Sequence, residues 1–291
     1  MMRSIGFIGA GTVATALAIR LREKGYPIVA VASRSRSSAE NLAQAVEGCS
    51  VCDDGQRVSD VADLVFITTP DDAISSVVNS VKWRSGQGVI HCSGADSALA
   101  LEPAKAFGAE VGSFHPLQTF ASVSYAVDNL PGSTFAIEAE GNLLDELKGM
   151  AEVLNGHVVE LKSEDKVLYH AAAVLACNYT VTLTKLATDL WETFGVSTPE
   201  ATKSLMPLMR GTINNLDNVG LPNCLTGPVA RGDLGTIRKH LDALASKAPH
   251  LLPAYRELGL QTIPIALAKG KIKEEQASQL HHLLTGSATG G

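Results

Sequence analysis

Long apolar runs and long basic clusters are both missing from this sequence of 291 residues. No apolar run approaches the roughly 18 residues that cross a membrane, and we expect no signal peptide because the first residues lack its apolar core. The net charge is −6 and the basic residues are dispersed, which argues against nucleic-acid binding. The five cysteines are an odd, scattered set, which favours a reducing compartment. These features predict a cytoplasmic protein without a membrane or nucleic-acid partner.

The chain also lacks the two cysteine pairs that a zinc site would use. Cys49 and Cys52 have the spacing of a redox pair, but residues 49–52 fall where a strand is expected. No helix N-terminus follows directly to lower a thiol pKa, and no second pair completes four zinc ligands. We therefore predict that these cysteines are structural and that the protein binds no metal.

A glycine-rich segment lies directly behind the first apolar run, Ile5–Ile8. Gly9 permits a tight turn out of a strand, and Gly11 lets the backbone approach a pyrophosphate. Ala14 stands where a third glycine is usual and is still small enough for a helix to pack closely on a strand. Residues 12–24 have the apolar periodicity of a helix. This order predicts a dinucleotide site, and the alternative is a purely structural turn.

The N-terminus of that predicted helix carries Thr12 and Val13. Its free N–H groups and the positive end of its dipole favour a phosphate at this position. We therefore count both residues among the candidate cofactor-binding residues.

No carboxylate occurs in residues 25–39, where an NAD site usually has an Asp or Glu on the ribose 2′-hydroxyl. The second predicted strand instead ends at a basic segment rich in hydroxyls, formed by Ser33, Arg34, Ser35 and Arg36. Guanidinium groups bind phosphate bidentately, so this segment predicts NADP(H) rather than NAD(H). The alternative is a solvated basic loop.

Strand-like and helix-like segments alternate through residue 161. Strands are predicted at residues 5–8, 27–32, 49–52, 64–67, 88–92, 110–114, 134–138 and 157–161. This alternation predicts a doubly wound α/β domain with a Rossmann sheet.

Strand patterns stop at about residue 163. Residues 166–193 read as one long helix without Gly or Pro, and further helices follow up to a small, polar tail at 285–291 that we expect to be disordered. We therefore predict a dinucleotide-binding domain over residues 1–162 and an all-helical domain over residues 163–291.

Further cofactor contacts are expected where two of the predicted strands end, because ligands of doubly wound sheets bind beyond the carboxyl ends of strands. Thr68, Thr69 and Pro70 should flank the cofactor ribose, unless they only mark a strand end and a helix start. Ser93 and Gly94 should let the backbone reach the nicotinamide.

His115 follows the sixth predicted strand, and Gln118 and Thr119 come soon after it. An imidazole can protonate a developing alkoxide near neutral pH. His115 is therefore a candidate catalytic residue, and the alternative is a structural histidine bonded to backbone.

One stripe of the long predicted helix carries residues spaced four apart, namely Lys166, His170, Val174 and Asn178. Polar residues on an otherwise apolar helix predict a face that lines a polar cleft. His170 and Asn178 lie about 12 Å apart along the axis and could contact one small substrate, whereas Lys166 lies about 18 Å from Asn178 and could not. The alternative, a solvated helix edge, applies to Lys166 more than to His170.

Arg231 lies in the segment 225–233, which reads as a loop that leads into a helix. Its guanidinium could bind a substrate carboxylate. It could equally pair with Asp233 or with Glu residues elsewhere and only hold the loop.

These segments resemble a large bacterial family that joins an NADP-binding Rossmann domain to a helical C-terminal domain of unknown function. The family is related to the deazaflavin-dependent NADP oxidoreductases, and the resemblance covers nearly the whole chain. The residues that carry it are 9–14, 33–34, 115–120, 169–179 and 225–233.

The first half also resembles pyrroline-5-carboxylate reductase, prephenate dehydrogenase and the β-hydroxyacid dehydrogenases. The second half resembles the dimer-forming domain of 6-phosphogluconate dehydrogenase and ketopantoate reductase. The resemblance implies an NADP-dependent reductase that forms a homodimer through its helical domain.

One departure from these relatives limits the mechanism that can be transferred. β-Hydroxyacid dehydrogenases have a catalytic lysine four residues before an asparagine, but here Val174 precedes Asn178 at that spacing. We therefore expect His170 or His115 to supply the proton.

The leading hypothesis is an oxidoreductase that transfers hydride between NADP(H) and a small carbonyl, imine or hydroxyacid. His170 would act as acid and base, and His115 and Asn178 would orient the substrate. The alternative is a non-catalytic NADP(H)-binding redox sensor or scaffold, and a deazaflavin remains open as the hydride partner.

Overall fold

The computed structural model describes residues 2–286, and eight strands in them form one sheet. The order across the sheet is β3-β2-β1-β4-β5-β6-β7-β8. All neighbouring strands are parallel except β6 and β7, which are antiparallel. The strands are β1 Ile5–Ile8, β2 Ile28–Ala32, β3 Ser50–Val51, β4 Leu64–Ile67, β5 Gly88–His91, β6 Glu110–Leu117, β7 Thr134–Glu138 and β8 His157–Glu160.

Helices connect the strands in the alternation that the sequence predicts. They are α1 Thr12–Glu23, α2 Arg36–Ala45, α3 Gly55–Val61, α4 Asp71–Ser80, α5 Glu102–Lys105, α6 Val123–Asn129, α7 Gly141–Val153 and α8 Lys166–Ala173. The strand order changes direction between β1 and β4, which is the switch point where doubly wound sheets bind ligands. The predicted fold class, a Rossmann sheet followed by helices, is confirmed.

Apolar side chains cover both faces of the sheet. Phe7, Phe66, Phe114 and Phe135 are fully buried on one face, with successive ring centroids 5.5, 6.1 and 4.7 Å apart. The alternate residues of the same strands, such as Ile67, belong to a second cluster on the opposite face. Burial on both faces explains why these strands read as continuous apolar runs.

Strand β6 is longer than the sequence predicts, and this moves His115 from beyond a strand end into the strand itself. The parallel partner β5 stops pairing at Ser113, whereas the antiparallel partner β7 pairs as far as Leu117. One edge of residues 114–117 is therefore free of a strand partner. A proline at 116 fits there because it has no N–H to offer on that edge.

The chain divides into two compact units at Cys177 and Asn178. The predicted boundary at residue 162 marks the end of the strand pattern, but the first unit extends 15 residues further. The reason is that α8 is tied to the sheet, since the Lys166 ammonium donates to groups that follow β5 and lie on β6.

The second unit contains only helices among its described residues. They are α9 Tyr179–Glu192, α10 Thr198–Asn218, α11 Leu234–Lys247, α12 Leu252–Ala268 and α13 Glu274–Thr285. Ile237, Ile263 and Leu280 form part of their buried core. Thr285 ends α13 rather than beginning a disordered tail, and the remainder of the predicted tail, 287–291, lies outside the described residues.

Residues 163–192 form a helical stretch that is long and apolar enough to cross a membrane by length and composition alone, with a mean hydropathy of 1.2. Charged and polar residues interrupt this stretch, so it is not an unbroken apolar run, although its mean hydropathy is high. None of the 18 residues that give this mean value is buried.

Candidate active site

Gly9 closes the turn between β1 and α1 in a backbone conformation that requires glycine. Its φ is +106°, and a Cβ atom there would lie 2.7 Å from the carbonyl oxygen of Thr68. Gly11 has an ordinary φ of −79°, and a Cβ on it would meet no atom within 4 Å. The backbone of Thr68 thus leaves no room for a side chain at Gly9. At Gly11 the absence of a side chain leaves open space in front of α1. The first N–H groups of this helix have no intrahelical acceptor and face that space.

A cavity of about 690 Å³ opens at this turn. Its lining includes most of the predicted cofactor residues, namely Gly9, Gly11, Ser33, Arg34, Ser35, Thr68, Thr69 and Pro70. Thr12, Val13 and Arg36 are not among its lining residues and instead begin α1 and α2. Within residues 2–286, the Thr69 hydroxyl is buried without a hydrogen-bond partner. A buried polar atom of this kind calls for a partner, which a bound dinucleotide would supply.

At the end of this cavity beside β2, Arg34 and Arg36 differ in their ion-pair partners. The Arg36 guanidinium lies 3.0 Å from Glu40 and 3.6 Å from Asp53, so it is already paired. Arg34 has no ion-pair or hydrogen-bond partner in the part of the chain that the structure describes, and it lines the cavity beside Ser33. The guanidinium that is free to bind a 2′-phosphate is therefore that of Arg34 rather than that of Arg36.

Three carboxylates that the sequence analysis did not connect with this site also line the cavity, those of Asp53, Asp54 and Asp72. Asp53 and Asp54 follow β3, which pairs with β2. The Asp54 carboxylate accepts the N–H of Arg57 and caps α3, and Asp53 faces Arg36. Asp72 lies in the first turn of α4, where the positive end of the helix dipole favours a negative charge. Among the described lining residues, Arg34 carries the only positive charge.

Arg34→Gln is expected to weaken NADPH binding by about 10- to 100-fold while the affinity for NADH changes little, because a charge-assisted contact to phosphate is lost. Fluorescence titration of both cofactors measures this difference. Arg36→Gln is the matched control and should have the smaller effect on NADPH. An equal loss for both cofactors would show that Arg34 does not contact the 2′-phosphate.

Lys166 is fully buried, so the alternative of a solvated helix edge is wrong for this residue. Its ammonium donates to the carbonyl oxygen of Ser93 at 2.9 Å and to the Ser113 hydroxyl at 3.0 Å. Burial lowers the pKa of Lys166, and the Glu138 carboxylate partly opposes that effect. The lysine therefore joins α8 to the segment after β5 and to β6, and holds the Ser93–Gly94 backbone in place.

His91 at the end of β5 supports the same segment. Its Nδ1 accepts the Ser93 N–H at 3.1 Å, so Nε2 carries the proton and lies 3.1 Å from the carbonyl oxygen of Ser97. Burial, together with the nearby Lys166 charge, lowers the pKa of His91. A neutral imidazole thus fixes the turn that presents Ser93 and Gly94.

Gly94 packs directly against two imidazole rings. A Cβ on Gly94 would lie 2.6 Å from Cδ2 of His170 and 2.8 Å from Nε2 of His115. The two rings are 6.2 Å apart, nearly perpendicular. The structure therefore brings together three of the predicted site residues, from the segment after β5, from β6 and from α8.

His115 has a further partner that the sequence reading missed. Its Nδ1 lies 2.8 Å from the Tyr169 hydroxyl, which leaves Nε2 facing Gly94. Burial is the main cause that lowers the pKa of His115 to about 4, with Lys166 and His170 adding to it, and burial raises the pKa of Tyr169 to about 12. Both groups are therefore neutral at pH 7.

The lowered pKa of His115 has a consequence for stability. Its folded pKa of about 4 lies below its ordinary value of 6.5, so the unfolded chain binds the proton more readily between these pH values. The free energy of unfolding should fall as the pH drops from 6.5 to 4, by up to about 3 kcal/mol from this group. Urea unfolding at several pH values measures it. His115→Phe should flatten this dependence, and an unchanged slope would contradict the assignment.

Asn178 is exposed and begins the second unit. The predicted stripe assumed a regular α-helix, but residues Val174–Asn178 form a π-helical turn. A π turn holds more residues than an α turn, so the angle around the helix axis between His170 and Asn178 differs from that in a regular α-helix. Contact of both residues with one substrate stays a prediction.

Two family models match the chain. Residues 4–94 match the model described as NADP oxidoreductase, coenzyme F420-dependent, and residues 133–262 match a domain of unknown function, DUF2520. These matches confirm the predicted resemblance and agree with NADP(H) as the cofactor. Among curated proteins, none matches the chain.

Solved structures resemble the chain over nearly its whole length. A Bacteroides fragilis protein provisionally assigned as an NADP oxidoreductase is 29% identical, with 90% of this chain and 98% of that one covered and a TM-score of 0.72. A Thermotoga maritima protein is 25% identical, with 97% and 98% covered and a TM-score of 0.64. A reductive aminase from Aspergillus terreus, in complex with NADPH and ethyl levulinate, is 17% identical, with 97% and 99% covered and a TM-score of 0.65, which shows a shared fold.

Proposed function

We propose that this protein is an NADP(H)-dependent reductase of a small carbonyl, imine or 2-oxoacid, the last giving a hydroxyacid. The first unit binds the cofactor, with the pyrophosphate against the Gly9–Gly11 turn and the 2′-phosphate against Arg34 and Ser33. NADPH, when bound, supplies the hydride. The observation that carries the proposal is the position of Gly94, whose backbone contacts His115 and His170 directly beyond β5.

The proton comes from His115 in this proposal. Its imidazole is neutral at pH 7, so it acts as an N–H donor rather than as an imidazolium, in the way that other buried histidines polarise a carbonyl. Nε2 gives its proton to the developing alkoxide or amine, and Nδ1 takes the proton of the Tyr169 hydroxyl. The pair then recovers its proton from water. An alkoxide is a far stronger base than a tyrosinate, so the transfer is downhill even with the Tyr169 pKa at about 12.

Two other groups have supporting parts. Lys166 keeps the Ser93–Gly94 backbone in place, and its buried positive charge helps to keep His115 neutral. His170 lies beside His115 on the same side of Gly94 and forms a wall of the substrate space. His115 is favoured over His170 as the donor because Tyr169 fixes its orientation.

An assay of NADPH oxidation at 340 nm tests the function. The purified chain is offered small ketones, ketones with amines, cyclic imines, 2-oxoacids and a deazaflavin in separate reactions. The proposal expects turnover with at least one carbonyl or imine. Turnover with the deazaflavin alone would make that coenzyme the hydride partner. Tight NADPH binding without oxidation by any of them would favour the non-catalytic sensor.

We also propose that the protein acts as a homodimer in the cytoplasm. Helices α9 and α10 expose large apolar side chains, including Val181 at 70%, Leu208 at 68% and Ile213 at 59%. Monomeric proteins rarely leave such a surface in water, and a second copy of the chain would cover it. The odd set of cysteines supports a reducing compartment.

Val181→Glu is expected to shift the protein from dimer to monomer, because a charge would be buried in an apolar interface. Sedimentation velocity over a range of protein concentrations measures the change. Lys239→Glu, at an exposed position of α11, is the control and should remain dimeric. A wild-type protein that sediments as a monomer at all concentrations would contradict the dimer.

A further inference from the structure

The second unit contains a cavity of about 460 Å³ between the segment after Leu225 and the end of α12. Three of its seven lining residues are cations, Arg231, Lys269 and Lys271, and none is a carboxylate. This concentration of positive charge occurs in a chain of net charge −6. We propose that this cavity binds a small anion through a carboxylate or phosphoryl group.

The charges of Arg231 and Lys271 remain available for a ligand. The Arg231 guanidinium lies 3.8 Å from the Asp233 carboxylate, beyond hydrogen-bond distance, and is 65% exposed. Asp233 is engaged elsewhere, because it accepts the N–H and the hydroxyl of Thr236 at 3.0 and 2.7 Å and so caps α11. These bonds lower its pKa. Lys271 has no ion-pair partner within residues 2–286.

Lys269 builds the wall of the cavity. Its ammonium donates to the carbonyl oxygens of Asn223 and Leu225 at 2.8 and 2.7 Å, which ties the loop to the end of α12. Two of its three N–H groups are thus used in holding the loop. Gly232, with φ +66°, ends the turn that carries Arg231, and a Cβ on it would lie 2.8 Å from Nε2 of Gln276. The cationic groups therefore lie on a loop whose conformation is already fixed. This lowers the entropy cost of ordering them around a ligand.

Size and chemistry limit the ligand to a small molecule. The volume falls in the range of small-molecule sites. A planar guanidinium binds the oxygens of a carboxylate or phosphate bidentately, and Lys271 adds a point charge. Leu225 and Ala230 leave an apolar part of the wall for a short carbon chain. Of the two roles open for Arg231 from the sequence, anion binding fits this geometry better than a pair with Asp233.

Titration calorimetry of the full chain at low ionic strength tests the proposal, with inorganic phosphate and succinate as separate probes. The titrations are made on Arg34→Gln, so that phosphate bound at the cofactor end is not counted. At least one probe should bind. Arg231→Gln and Lys271→Gln should each weaken that binding by about tenfold, the size of one lost charge-assisted contact.

Two controls separate a built site from general attraction. Lys271→Arg keeps the charge and should bind within about threefold of its parent. Lys203→Gln removes the same charge from an exposed position of α10 and should change nothing. Binding of phosphate alone would support a site for phosphoryl groups, and binding of succinate alone would support a site for carboxylates. Binding of both would support a site that accepts either anionic group.

The proposal is overturned if neither probe binds, if both cavity variants bind as the parent does, or if Lys203→Gln weakens binding equally. Its outcome is independent of the proposed reductase function, because none of the cofactor residues lies in the second unit.

Discussion

His115→Phe is expected to lower kcat by about 100- to 10,000-fold on the carbonyl or imine found by the NADPH assay, because general acid catalysis contributes on that scale. Phenylalanine keeps a ring next to Gly94 and Tyr169 but has no N–H to donate. The NADPH dissociation constant should stay within about threefold of the wild type, since a proton donor acts only in the chemical step. Steady-state kinetics and a fluorescence titration measure the two quantities.

Two further variants distinguish the possible donors. Tyr169→Phe removes the group that fixes His115 and should lower kcat by a smaller factor than His115→Phe. His170→Ala should mainly raise KM if His170 is a wall of the substrate space. A loss of kcat that is larger for His170→Ala than for His115→Phe would assign the proton to His170 instead. Retained kcat in His115→Phe would exclude the role proposed for His115.

The second large effect concerns the glycine turn. Gly11→Val is expected to weaken NADPH binding by about 100-fold, because its side chain fills the space through which the pyrophosphate approaches α1. The free protein should unfold at nearly the wild-type temperature, since a Cβ at this position meets no neighbour.

Gly9 serves as the contrasting position. Gly9→Ala forces a side chain into φ +106° and against Thr68, so it should lower the unfolding temperature as well as the affinity. Thermal unfolding followed by circular dichroism separates the two effects. If Gly11→Val bound NADPH normally, the cofactor would not cross this turn.

The sequence predicts the cofactor end of the site well because its signals are local. Gly9 and Gly11 are placed by the strand before them and the helix after them, all within a short stretch of chain. The absence of a carboxylate from residues 25–39 favours NADP(H) and makes Arg34 a candidate for binding the 2′-phosphate. Pairing of Arg36 with Asp53 could not be predicted, because it depends on β3 lying next to β2.

The catalytic end is harder to predict because it is assembled from three distant segments. Gly94, His115 and Tyr169 meet only after β5, β6 and α8 are arranged in the fold. Lys166 reads as a surface residue on a helical stripe, and its burial follows from acceptors on Ser93 and Ser113. The π-helical turn at Val174–Asn178 has no signal in a stretch without Gly or Pro, so the angular position of Asn178 on the helix could not be predicted.

A crystal structure of the protein with NADPH would locate both ends of the cofactor. We expect the nicotinamide beside the Gly94 backbone, with its reactive carbon facing the space next to Nε2 of His115, and the 2′-phosphate on Arg34. A nicotinamide bound away from Gly94 and His115, or a 2′-phosphate with no contact to Arg34, would contradict this expectation.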